Sequence, residues 1–272
     1  MNSVLITPAT LLYLLAAGLL VKRLASGIEA RGSTRLAALI SGLIAATLHA
    51  VTVYSGIIIS EGLNLSFFLA LSFTSWVAAT LILLSSLRQP MENLGIAVFP
   101  FAALSLLLQR YPEDHGVLIA SAAPGLEVHI LISVISYSLL TLAALQAILL
   151  AIQNKQLRNR HPGGFIRALP PLETMECLLF RLIGIGFVLL SISLLSAIPY
   201  TQNIIEQHLI HKTVLSVTAW IVFAILLWGR WRFGWRGRTA IRWTLGGFAV
   251  LMLAYFGSKL VLELILGTPV SA

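Results

Sequence analysis

Residues 127–152, EVHILISVISYSLLTLAALQAILLAI, decide the class of the fold. After Glu127 no charged side chain occurs until Lys155, so the segment is longer than the roughly 20 apolar residues needed to cross about 30 Å of hydrocarbon. A chain crossing lipid must satisfy its own backbone hydrogen bonds, which makes the segment a transmembrane helix. Similar runs recur on both sides, near 4–21, 36–59, 64–87, 94–109, 176–199, 211–229 and 243–266. The pattern predicts an all-α, polytopic bundle of about eight transmembrane helices, with residues 1–272 forming a single integral membrane domain. The fourth run is the weakest, because it is short and carries Pro100. The first ends in Lys22-Arg23 and has no basic segment before it, so it reads as a retained span rather than a cleaved leader.

Composition agrees. Of the 272 residues, 58% are hydrophobic and only 10% are charged, where a soluble domain has about 25%. The mean hydropathy is +0.93. Such a chain cannot cover its apolar surface with polar groups in water, which excludes a soluble enzyme. The net charge of +8 does not indicate nucleic acid, because the charges are few and gather at the ends of the apolar runs. One cysteine, Cys177, leaves no internal disulfide and no paired-thiol site.

The charges set an orientation. Threading eight spans puts Lys22, Arg23, Arg31, Arg35, Arg88, Lys155, Arg158, Arg160, Arg167, Arg181, Arg230, Arg232, Arg236, Arg238 and Arg242 on one side. Only Arg110, Lys212 and Lys259 of the 18 basic residues fall on the other. The basic side is expected to be cytoplasmic. Both termini, and Glu61, Glu113, Asp114, Glu127, Glu206 and Glu263, are then outside.

Histidine is the informative chemistry. His161 falls in the inner basic loop, while His49, His115, His129, His208 and His211 fall in the outer half of the membrane or in outer loops. His129 opens the fifth span and His211 the seventh, at matching depth. His49 lies deep in the second span, where an imidazole must face the bundle interior and find a partner. Imidazole suits haem iron, since one ring nitrogen binds metal while the other N–H is held by a neighbouring acceptor. Two histidines on different helices can clamp one haem, and His49 is too deep to share it. A helix–helix hydrogen bond is the competing reading for each histidine. A small-ion transporter is disfavoured, since no span carries a carboxylate well inside.

The stretch Trp228-Gly229-Arg230-Trp231-Arg232-Phe233-Gly234-Trp235-Arg236-Gly237-Arg238, followed by Trp243, reads as an inner interfacial anchor, with indoles at headgroup level and arginines on anionic lipid. Gly184-Ile185-Gly186 and Gly246-Gly247 are small-residue spacings that let helices approach closely.

Several of these pieces carry a resemblance. Trp220, Gly234-Trp235-Arg236-Gly237-Arg238 and Tyr255-Phe256-Gly257 resemble the C-terminal part of the cytochrome c assembly protein family, the haem-handling membrane proteins of the CcsA, CcmC and HemX-like types. The small HemX-like and YpjD-like inner-membrane branch is the nearest. The segment from Val128 looks like the family's histidine-bearing helix, and ATLHAVTVY around His49 looks like its early helix. The likeness is most specific over 125–265. It implies a multi-pass protein of the bacterial inner membrane that binds haem b and serves cytochrome c assembly or haem delivery at the outer face. It assigns His129 to an external haem-ligating histidine and leaves His211 placed to be the second axial ligand to the iron, with His49 a deeper ligand or gate. Haem, membrane lipid and other cytochrome c assembly proteins are the implied partners. The tryptophan-rich segment of the full lyases is absent, Trp228 stands where they carry a histidine, and none follows Tyr255-Phe256-Gly257, so no enzymatic haem attachment is expected. The alternative is a cofactor-free regulatory or scaffold protein of the HemX type, acting on haem biosynthesis through its inner Arg/Trp stretch.

The orientation has a direct check. A reporter active only in the periplasm should work when fused after Ala272 and stay silent when fused near Arg160; activity at Arg160 would invert the topology.

Overall fold

The computed structural model describes residues 2–25, 31–59, 62–64, 66–87, 91–110, 118–119, 125–159, 169–199 and 210–257. Among the described residues eight α-helices follow one another: α1 (Asn2–Ala25), α2 (Arg31–Ile57), α3 (Phe67–Ser85), α4 (Gly95–Leu108), α5 (Leu126–Arg158), α6 (Leu172–Ala197), α7 (Ile210–Phe233) and α8 (Gly237–Met252). Six of them, all but α4 and α8, are long and apolar enough to cross a membrane. The eight runs read from the sequence are thus eight helices, in a helical membrane bundle. Short strands lie in the connections: β1 (Ile58–Ile59), β2 (Gly62–Asn64) and β3 (Leu118–Ile119). β2 and β3 pair antiparallel, Leu63 opposite Ile119 and Asn64 opposite Leu118. The chain gathers into two compact units. The first holds α1 to α4, and the second holds most of α5 together with α6, α7 and α8.

In the first unit α4 explains its own weakness as a sequence signal. It has 14 residues and runs through Pro100. A 3-10 turn, Glu92–Leu94, leads into it. Val98, Phe99, Ala102, Ala103 and Leu106 are all buried, so this short helix is held by packing rather than by intrinsic propensity. Phe99 is the centre of that packing. Its ring stacks on Tyr13 of α1 with centroids 5.7 Å apart. A methyl added at Gly95 would lie 2.8 Å from Phe99 and 2.9 Å from Leu20, and one at Gly42 would lie 3.3 Å from Phe99. The absent side chains are what let α1, α2 and α4 close on the ring. Glu92, ahead of α4, is buried and accepts a 2.7 Å hydrogen bond from Arg23, with Arg35 also within ion-pair distance at 3.4 Å. Pairing makes a buried carboxylate tolerable there.

In the second unit α5 and α6 run side by side through a ladder of polar rungs. His129 meets Ser196 at 2.9 Å, Ser133 meets Ser193 at 2.6 Å, and Ser136 donates to the Gly186 carbonyl at 2.9 Å. Lower down, Gln146 donates to the Met175 carbonyl at 3.0 Å. In hydrocarbon, such interhelical bonds and the van der Waals contact of small residues replace the hydrophobic effect as the source of association. Of the glycines expected to permit close approach, Gly186 and Gly247 do so. A Cβ at Gly186 would sit 2.8 Å from Leu140, and one at Gly247 would sit 3.0 Å from Val222. Gly184 and Gly246 face open space.

The Trp/Arg stretch is more ordered than a loop. α7 continues to Phe233 and α8 begins at Gly237, six residues before the expected start of the eighth span. Arg230 and Arg232 occupy the last turn of α7, where cations complement the helix dipole. The reversal is compressed into Gly234, Trp235 and Arg236 because Gly234 and Gly237 take φ values of +65° and +53°, which side-chain-bearing residues avoid. Glu176 of α6 accepts from the Gly237 N–H at 2.8 Å, and Arg230 donates to the Trp235 carbonyl at 3.1 Å. Trp235 lies against Gly229 and 5.5 Å from the Trp243 ring, whereas Trp228 and Trp231 are exposed. The indoles therefore divide into one that closes the turn and two that face outward as an interfacial anchor requires. Past Met252 the chain forms a π-helical turn, Leu253–Gly257. The rest of the expected span, to residue 266, lies outside the described residues.

Gly229→Ala should destabilise the protein by about 1–3 kcal/mol, because its methyl drives into the Trp235 ring. Gly184→Ala meets nothing and should be neutral or stabilising by up to about 1 kcal/mol. Thermal unfolding in one detergent compares the two.

Candidate functional site

Two histidines sit in contrasting surroundings, one in each unit. His49, on α2, lies eight residues before the helix end at Ile57, about 12 Å along the axis. It is fully buried. Tyr13 Oη stands 3.3 Å from its Nδ1 and Ser72 Oγ 2.8 Å from its Nε2. The tautomer follows by counting hydrogens. Ser72 has one hydroxyl hydrogen and donates it to Gln109 Oε1 at 3.0 Å. It must therefore accept from His49 Nε2–H, which leaves Nδ1 to accept from Tyr13. Gln109 Nε2 donates onward to the Thr52 carbonyl at 3.4 Å. The result is a chain with every donor pointing the same way, from Tyr13 through His49, Ser72 and Gln109 to Thr52, tying α1, α2, α3 and the C-terminal cap of α4. Thr52 Oγ1 also donates to the His49 carbonyl at 2.8 Å.

His129 is in the first turn of α5 and half-buried. Its Nδ1 is 2.9 Å from Ser196 Oγ. Ser196 donates its own hydrogen to the Ser193 carbonyl at 2.8 Å, so it accepts from His129 Nδ1–H. The ring is thus fixed as the Nδ1–H tautomer, with its lone pair on Nε2. This is how proteins commonly present imidazole to a metal, the second nitrogen held by a neighbouring acceptor. The donor chemistry fits an axial ligand of haem iron.

The same end of this unit gathers further groups. Ser133 donates to the His129 carbonyl at 2.7 Å. Tyr137, two turns along the same face of α5, donates to the Leu251 carbonyl at 3.2 Å and stands 3.0 Å from Met252 Sδ. Tyr255, in the π-helical turn, has its ring 5.8 Å from that of Tyr137. Such wide turns frequently mark functional positions. The Lys212 ammonium lies 4.9 Å from the centre of the Tyr255 ring. His211 stands next to Lys212 in the first turn of α7. Its side chain lies outside what the structure describes, as do His115, His161 and His208 entirely. Tyr13, Ser72 and Gln109, and likewise Ser196, Lys212 and Tyr255, escaped the sequence reading as site residues. A legible signal existed on α5, where His129, Ser133, Ser136 and Tyr137 fall at helical spacing in an otherwise apolar run.

A model of the cytochrome c assembly protein family matches residues 37–266. The chain belongs to this family. It is 35% identical over 240 residues to the inner membrane protein YpjD of Escherichia coli K12, covering 88% of this chain and 91% of that protein. Over 202 residues it is 28% identical to the cytochrome c biogenesis protein CcsA of Chlamydomonas reinhardtii, covering 73% of this chain and 54% of that protein. Protein HemX of Brevibacillus brevis is 23% identical over 199 residues, 71% of this chain and 73% of that protein. No solved structure matches the chain.

The motifs behind the resemblance have physical roles in the structure. Trp220 donates to Ser191 Oγ at 2.8 Å and stacks on Phe187, joining α7 to α6. Gly234-Trp235-Arg236-Gly237-Arg238 makes the α7–α8 reversal, and Tyr255 sits beneath Lys212.

The chain through His49 predicts a cooperative penalty. Tyr13→Phe leaves His49 Nδ1 without a donor and should cost about 1–2 kcal/mol. Ser72→Ala should cost a similar amount, and the double variant should cost less than the sum, because both remove links of one chain. Unfolding of the four proteins in a double-mutant cycle measures this; strict additivity would mean the links act independently.

Proposed function

We propose that this protein binds b-type haem non-covalently through its second unit, as a multi-pass protein of the bacterial inner membrane that serves cytochrome c assembly or haem delivery. The observation that carries the reading is the contact of His129 Nδ1 with Ser196 Oγ, whose own hydrogen goes to the Ser193 carbonyl. Ser196 holds Nδ1–H, so Nε2 carries the lone pair a ferric or ferrous iron needs. His211, in the first turn of α7, is the second residue that would hold the iron. Haem bound there brings an iron that takes two imidazoles. Everything else is the work of the chain: Ser196 orients the His129 ring, and α5 and α6 hold it at the helix mouth.

The site faces the periplasm in this reading, since it lies at the end of α7 opposite Arg230 and Arg232. Membership in the cytochrome c assembly family and 35% identity to a protein named for the inner membrane support the compartment. The protein carries out no bond formation by itself and works with other assembly proteins. His49 enters as a deeper ligand or a gate. Both its nitrogens are engaged, so ligation there requires release of Tyr13 or Ser72, and a gate is the role its hydrogen bonds favour.

Purified in mild detergent, the protein should show the Soret band and sharp α and β bands of a low-spin b-type haem. His129→Gly should remove most of the haem, and added imidazole should restore part of it by filling the vacated position. His211→Gly should behave alike, His49→Gly should spare the outer haem, and His161→Ala should change nothing. Wild-type haem content in the double variant of His129 and His211 would remove the proposed site. The cofactor-free regulatory reading of the HemX type would then replace it.

A further inference from the structure

At the basic end of the first unit all four helices end or begin together. Arg23 is in the last turn of α1, Arg35 stands near the start of α2, Ser86 follows α3 directly, and Glu92 is in the 3-10 turn that leads into α4. Glu92 Oε1 takes the contacts of both guanidiniums, 2.7 Å from Arg23 Nη1 and 3.4 Å from Arg35 Nε, and Arg35 Nη2 donates to the Ser86 carbonyl. A knot that only fastened helix ends would use up what it brings together, and this one does not. A guanidinium has five N–H donors. Among the described residues Arg23 uses one on Glu92, and Arg35 one on Glu92 and one on Ser86. Two arginines against one carboxylate leave a positive charge in excess. Two further atoms are left over: Glu92 Oε2 and Ser86 Oγ are buried and have no hydrogen-bond partner. Such groups lose their hydration with nothing in return, so the node is incomplete on both counts.

We infer that this node binds the phosphodiester of an anionic phospholipid headgroup that carries hydroxyl donors, of the phosphatidylglycerol type. The phosphate oxygens take the remaining N–H donors of Arg23 and Arg35, for which the planar guanidinium fork is suited. One phosphodiester cancels the excess charge. The headgroup hydroxyls complete the two atoms left over, donating to Glu92 Oε2 and bonding with Ser86 Oγ. Arg35 is the way in. Its side chain is 38% exposed against 17% for Arg23, and its contact with Glu92 is the longer of the two, so it is the one that yields to a ligand most readily. Glu92 is the positioning residue, since one of its oxygens holds both guanidiniums. The location fits a headgroup: helix ends of a membrane unit lie at headgroup level, and this end carries the basic residues that mark the side read as cytoplasmic.

The test compares three ligands on one protein. The full chain is delipidated in an uncharged detergent, and its thermal unfolding is followed as dioctanoyl phosphatidylglycerol, dioctanoyl phosphatidylcholine or inorganic phosphate is added. Phosphatidylcholine keeps the phosphodiester but cancels its charge and carries no donor. Phosphatidylglycerol should raise the midpoint saturably, phosphatidylcholine should not, and inorganic phosphate should need at least about tenfold more. Arg35→Met, which keeps an aliphatic stem and loses the charge, should weaken phosphatidylglycerol about tenfold, and Arg35→Lys should recover part of that loss. Ser86→Ala separates binding from packing. Its hydroxyl has no partner in the protein, so the variant should be at least as stable as the wild type without lipid and should gain less from phosphatidylglycerol. Arg158→Met, which removes an exposed basic charge from the last turn of α5, should respond like the wild type. Equal shifts from the two lipids, or a loss in Arg158→Met as large as in Arg35→Met, would overturn the site. An unchanged phosphatidylglycerol response in Ser86→Ala would do the same, and decides the matter if Arg35→Met does not fold. Inorganic phosphate acting at the same concentration as phosphatidylglycerol would overturn the lipid in favour of the free ion.

Discussion

A neutral imidazole has one N–H and one lone pair, and inside hydrocarbon neither can be left to water. That constraint organises both units of this protein. In each, serine hydroxyls with a single hydrogen to give decide which ring nitrogen is the donor. At His49 the serine is reached through Nε2, and Tyr13 takes up the lone pair on Nδ1, so the ring becomes a closed link in a chain across four helices. At His129 the serine is reached through Nδ1, and the lone pair is turned to Nε2. The same residue type, held by the same kind of partner, is bonded through both ring nitrogens in one place and through Nδ1 to its serine in the other.

The remaining architecture supports this difference. The first unit closes tightly on Phe99, with glycines at 42 and 95 allowing the approach, and buries its polar chain. The second unit is joined by discrete polar rungs between α5 and α6 and by single bonds from Trp220, Glu176 and Tyr137 to neighbouring helices. Tyr137 of α5, Tyr255 and Lys212 are linked through ring contacts to the π-helical turn.

Helix number and type were readable in the sequence, because eight apolar runs leave a chain in lipid no other way to satisfy its backbone. The ends were harder. α8 starts at Gly237 because two glycines with positive φ and the Glu176 carboxylate make a three-residue turn, and hydropathy is blind to both. The histidines stood out as the chemistry, with His49 eight residues from the end of α2 and His129 in the first turn of α5. Their tautomers could not be read, since Ser72 and Ser196 reach them from 23 and 67 residues away. Lys212 was visible only as an exception to the positive-inside pattern; its contact with Tyr255 depends on the π-helical turn, which no spacing in the sequence announces.

In the proposed site one nitrogen of one histidine, Nε2 of His129, is the atom that meets iron. Electron–nuclear double resonance on the ferric haem complex addresses that atom directly, using protein grown on histidine labelled with nitrogen-15 at either Nε2 or Nδ1. Strong hyperfine coupling is expected from the Nε2 label, reduced by one nitrogen in His129→Gly reconstituted with unlabelled imidazole. Strong coupling from the Nδ1 label, or an unchanged signal in that variant, would contradict it.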